Sequence, residues 1–157
     1  MRPATGLCLC MTVWFLAAPT LALTAQPDPT APIVVEELWA RRSPMMPRHG
    51  HHGRPTGNGA AYASLRNSGS VEDALIGAET DAAEMVELHE TIVESGVMRM
   101  RPVTRLSVPP GGSLELRPGG LHLMLINLRR DLRPGDRFTL SLTFERAGRL
   151  VVDVPVR

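Results

Sequence analysis

Four residues of the 157-residue chain combine an unusual type with a regular spacing: His89, Met100, His122 and Met124. Each falls where a half-buried strand would ordinarily carry Thr, Ser or a charge. Their shared chemistry is softness. Thioether sulfur binds hard cations and Zn(II) weakly but Cu(I) well, and imidazole accepts either copper oxidation state. Two Met and two His would make a four-donor site without an anionic ligand or a thiol. Methionine has no proton to lose, so only the imidazoles must be neutral, and binding should weaken in acid. A single Met on a strand is more commonly packing material, and a single His is commonly solvated. Four of them on suitably placed faces make a ligand set, and the strands decide whether those faces meet.

The elements that must position them are short strands. In 85–93, Val86, Leu88 and Ile92 face one way while Glu87, His89 and Thr91 face the other. In 121–127, Leu121, Leu123 and Leu125 share one face and His122 and Met124 the opposite one. His89 and Met100 lie almost symmetrically about the turn near Ser95, so a hairpin closing there sets them roughly opposite each other. Two strand pairs, each presenting one imidazole and one thioether, are predicted. Met98 shares the face of Met100 and is a candidate auxiliary ligand. Further strands are expected at 33–40, 60–67, 71–78, 97–103, 106–108, 114–116, 138–145 and 150–156. No stretch keeps a helical period. Many short strands joined by Gly/Pro turns indicate an all-β antiparallel sandwich or barrel.

Composition narrows the function. The chain has 17 basic residues, all Arg, against 16 acidic ones, a net charge of +1. That balance argues against nonspecific nucleic-acid binding, which needs clustered positive charge. Residues 1–25 read as a secretory signal: Arg2, then an apolar run over 7–18, then cleavage after Ala22 or Ala25. The run is shorter than the roughly 20 residues a membrane span needs. Cys8 and Cys10 do not follow the small residues as a lipoprotein acceptor would, and no other cysteine exists. Cleavage would remove thiol chemistry altogether, and in an oxidising compartment thioethers escape the disulfide formation that claims thiols. With no phosphate-binding Gly loop and no hydrolytic His/carboxylate centre, the expectation is a protein that is not an enzyme. Glu87/Glu90 and Glu72/Asp73 read as solvated faces and turns.

The spacing of His89, ten residues, Met100, twenty-one residues, His122, one residue, Met124 resembles the signature of the PCu(A)C periplasmic copper chaperones. The stretches VELHETIVESGVMRMRPV (86–103), VPPGGSLELRPGGLHLMLINL (108–128) and AAYASLRNSG (60–69) resemble it too, and the likeness runs over 33–156. It implies a cupredoxin-like, immunoglobulin-like Greek-key β-sandwich over 33–157, with one Cu(I) held by His89, Met100, His122 and Met124. It also implies a periplasmic protein that supplies copper for the binuclear copper centre of cytochrome c oxidase. The oxidase's copper-centre subunit and a Sco-type thioredoxin-fold copper protein would be its partners. Loop 41–59 departs from the short Pro-containing link usual in the family. Its Met45, Met46, His49, His51 and His52 are candidates for a second, weaker site favouring Cu(II), set against a polar insertion with incidental His. Two other readings stay open: a copper buffer without a dedicated recipient, and a metal-independent sandwich that binds a protein through its edge strands.

Overall fold

Alternating apolar residues and Gly/Pro turns fold into ten strands among the described residues. A computed structural model describes residues 32–43 and 57–157. The strands are β1 (Ile33–Ala40), β2 (Gly59–Asn67), β3 (Asp73–Thr80), β4 (Ala83–Glu94), β5 (Val97–Val103), β6 (Leu106–Val108), β7 (Ser113–Leu116), β8 (Leu121–Leu128), β9 (Arg137–Phe144) and β10 (Arg149–Pro155). They pair antiparallel in the order β1-β2-β8-β4-β3-β9-β10, with β5 on β4, β6 on β3 and β7 on β2. A parallel bridge from Ala40 to Val156 joins the two ends, so the sheet curls almost closed around one core. The expected all-β antiparallel class is the one observed.

The core is aliphatic. Leu65, Leu75, Leu123, Leu125, Leu140 and Leu142 are fully buried, joined by Phe138 and Phe144. Each such side chain contributes roughly 1.5–3 kcal/mol by leaving water. Alternation then puts the remaining residues of β2, β8 and β4 on the outer face. That face carries the candidate ligands.

Two buried polar side chains hold the connections around β3. Asn67 donates from Nδ2 to the carbonyls of Val71 and Val108 and accepts the Gly69 N–H at Oδ1. This keeps residues 68–72 in a closed turn, so β3 begins at Asp73 and not at the expected residue 71. The buried Asp73 carboxylate accepts N–H bonds from Ala74 at 2.7 Å and from Arg146 and Ala147 at 2.9 Å each. It is therefore no solvated turn residue, as its sequence position suggested; it ties β3 to the β9–β10 turn. Asp73→Ala strands those donors and should cost about 2–4 kcal/mol of stability, read as a lowered urea midpoint. An unchanged midpoint would show the carboxylate to be dispensable.

The β4–β5 hairpin closes tightly. Glu94 pairs with Val97 across Ser95 (φ 51°) and Gly96 (φ 80°), the two positive φ values of a two-residue hairpin turn whose twist matches that of the strands. Among the described residues β5 pairs only with β4, and it is exposed along nearly its whole length. Arg99, Arg101 and Pro102 blunt that free edge against pairing with another chain.

Candidate metal centre

Strand register places the outer-face residues in transverse rows. His89 of β4 stands directly opposite His122 of β8, and their ring centroids are 5.8 Å apart. The row continues into Tyr62, whose ring lies 6.5 Å from His122, and Trp39, 4.7 Å from Tyr62. On one side of the imidazole pair, Met124 faces Glu87; on the other, Met100 faces Thr91. Directly opposite residues share a face, as do residues two apart. His89, Met100, His122, Met124 and Met98 therefore all project from one surface.

Two details of the expected arrangement differ. The imidazoles are direct cross-strand partners on adjacent strands, so the donors form one β8-β4-β5 ribbon, not two separate pairs. His89 also faces Pro102 and not Met100. The turn is centred between Ser95 and Gly96, one residue-step beyond the symmetric position. That moves the partner by two residues and leaves the face unchanged.

A cavity of about 490 Å³ opens on this surface, walled by Tyr62, Thr91, Met98, Met100, His122 and Met124. Arg41, Arg42, Ser43 and Asn58 also line it, where loop 41–59 leaves and rejoins the sheet. His89 is not part of the wall and meets it through the His122 ring. Burial is graded: His122 is 5% exposed and Met100 61%. The imidazole end is sheltered and the thioether of β5 faces solvent.

The hydrogen bonds of the two imidazoles fit metal binding. His122 Nδ1 donates to the Gly120 carbonyl at 3.0 Å, leaving Nε2 with the free lone pair. His89 Nε2 donates to the Glu87 carboxylate at 2.8 Å. That leaves His89 Nδ1 as the lone-pair nitrogen, and it is buried with no hydrogen-bond partner among the described residues. An orphaned buried acceptor is costly unless something occupies it. Metal-ligating histidines characteristically donate their second N–H to a carboxylate or a backbone carbonyl, which fixes the tautomer. Both versions occur here. Among the described residues no three His, Cys, Asp or Glu side chains gather as a site for a harder metal.

Sequence reasoning missed Glu87, which it took for a solvated face. The signal was present, because residues 87 and 89 are two apart on one strand and must share a face. Tyr62 and Trp39 were missed as well. The loop residues Met45, Met46, His49, His51 and His52, and the leader 1–25, lie outside the described residues.

Comparison with known proteins agrees with this frame. The LpqE-like family, whose name refers to a lipoprotein, matches residues 33–156. Protein Lxx21020 of Leifsonia xyli subsp. xyli is 34% identical over 103 residues, 65% of this chain. Protein RP573 of Rickettsia prowazekii is 30% identical over 100 residues, 63% of this chain. The chain spans 62% and 55% of the length of these curated relatives. Among solved structures, the copper-bound PCuAC domain from PmoF2 superposes with a TM-score of 0.60 at 25% identity, covering 80% of this chain and 92% of that domain. The solution structure of apo-DR1885 from Deinococcus radiodurans gives 0.56 at 26% identity, covering 96% of each chain. Its CuI form gives 0.54 at 28% identity, covering 85% of this chain and 81% of the other. With the matched family spanning nearly every described residue and this cupredoxin-like β fold shared with PCuAC domains, the chain is an LpqE-like member of the PCu(A)C family.

Proposed function

We propose that the chain is an exported copper carrier that binds one Cu(I) through His89, Met100, His122 and Met124. On this reading it delivers the ion for assembly of the binuclear copper centre of cytochrome c oxidase, in the periplasm. The observation that carries the reading is the orphaned His89 Nδ1 beside His122, two imidazoles turned by their outer hydrogen bonds to offer lone pairs. The thioethers flank that pair from either side, and their three flexible torsions let them close on a shared ion. Four neutral donors leave the charge of Cu(I) intact. The complex then favours the lower oxidation state, because thioether stabilises Cu(I) and offers little to harder ions.

A carrier must release what it holds. The open cavity puts Met100 within a partner's reach while the imidazoles stay sheltered, so exchange can begin at the exposed thioether. The recipients we propose are the oxidase's copper-centre subunit and a Sco-type thioredoxin-fold protein; a recipient that offered thiolate would draw Cu(I) from thioether, because thiolate binds it more strongly. Export through the leader 1–25 would place the chain where these meet. Among the described residues no helix is long and apolar enough to cross a membrane.

The test has two parts. Anaerobic competition titration of the mature chain should show one tightly held Cu(I), and a deletion strain should lose oxidase activity that added copper restores. Failure to retain Cu(I) would leave a metal-independent sandwich. Tight binding with normal oxidase assembly would make the protein a copper buffer.

A further inference from the structure

Met98 lies two residues before Met100 on β5, on the same face, and walls the same cavity. It is 66% exposed, and its cross-strand neighbour Val93 is exposed too. The usual reason for Met on a strand, filling irregular gaps in a core, therefore does not apply. Beyond it toward the turn only the Glu94–Val97 pair remains, which faces the other side. Among the described residues Met98 is thus the outermost soft donor of the cavity, in a gradient that runs from the buried His122 through Met100 to the hairpin tip. Same-face residues on a strand stand about 6.6 Å apart, a distance two thioether side chains can bridge onto one ion.

We propose that Met98 is a transfer ligand: it takes Cu(I) from the inner donors at the mouth of the cavity and presents it to the recipient. It adds nothing to the resting affinity. The inference rests on the reading of the inner four residues as Cu(I) ligands. In the step, Met98 Sδ donates a lone pair to Cu(I) as one inner donor lets go. A donor of the recipient then displaces Met98 in the same way. The ion remains Cu(I) throughout, and the protein loses or gains no proton or electron. Such a relay keeps the ion from being released into water between holders.

The experiment uses the mature chain loaded anaerobically with one equivalent of Cu(I), mixed with excess bicinchoninate, whose Cu(I) complex is coloured. Met98→Leu should slow copper removal roughly tenfold, equivalent to about 1.4 kcal/mol of barrier, and keep the equilibrium affinity within about twofold. Met85 supplies the control. It is 49% exposed on the same face but outside this cavity's wall, so Met85→Leu should alter neither quantity. A Met98→Leu rate equal to wild type overturns the proposal. An affinity loss as large as that of Met100→Leu also overturns it, by making Met98 a resident ligand. If the wild-type chain cannot hold Cu(I) against the chelator, the four-ligand reading fails first and takes this inference with it.

Discussion

Replacing Met100 and Met124 together by Leu should lower the Cu(I) affinity by more than about a hundredfold, since losing even an outer-shell partner of a metal ligand costs roughly 10–100-fold. The fold should barely notice. Met100 is largely exposed, Met124 is half-buried, and neither belongs to the core cluster. Swaps between Leu and Met conserve volume and usually cost less than about 1.5 kcal/mol. Cu(II) binding should survive better than Cu(I) binding, because the imidazoles accept both oxidation states and only the thioethers favour the softer one. The double variant therefore reverses a preference as well as weakening a site. Competition titration for Cu(I) and calorimetry for Cu(II), with the thermal midpoint as a control on folding, would measure it. Retained Cu(I) affinity in a folded double variant would remove both thioethers from the ligand set.

Much of this site was legible in the sequence because strand alternation is local. Parity alone assigns His89, His122 and Met124 to faces, and an error of two residues in register does not change it. The offset between His89 and Met100 shows this, since the ligand faces survived a misplaced turn centre. Pairing between distant strands was not legible. Nothing local says that β8 lies against β4, so the direct His89–His122 opposition, and with it a single ribbon of donors, had to come from the fold. Asp73 was obscure for a related reason. Its three N–H partners include Arg146 and Ala147, more than 70 residues away in sequence, so it looked like any acidic turn residue. Bounds failed where side chains, not alternation, end a strand: the Asn67 hydrogen bonds delay β3. Where a tight turn or a clean apolar run sets the limits, as in β1, β5 and β6, expected and observed bounds coincide.

Glu87 is the residue whose role the structure changed most, and it carries a sharp expectation. Its carboxylate accepts the His89 Nε2 proton at 2.8 Å, holding the ring in the tautomer whose Nδ1 is buried and available. Glu87→Leu removes that acceptor. The ring is then free to carry its proton on either nitrogen, and the form protonated at Nδ1 cannot bind copper through that atom. The carboxylate also fixes the orientation of the ring it holds, so both effects act in one direction. Cu(I) affinity should fall about 10–100-fold. Glu87→Gln keeps an acceptor oxygen without the charge and should fall between Leu and wild type. Folding stability should hardly move, because the Glu87 side chain is 36% exposed and lies on the outer face. Nitrogen-15 NMR of the apo protein separates positioning from mere structure. Wild type should show His89 protonated at Nε2, Glu87→Gln should largely keep that pattern, and Glu87→Leu should show mixed tautomers. If Glu87→Leu binds Cu(I) as wild type does, with the tautomer unchanged, the carboxylate does not position the ligand and the orphaned Nδ1 must owe its orientation to packing against His122 alone.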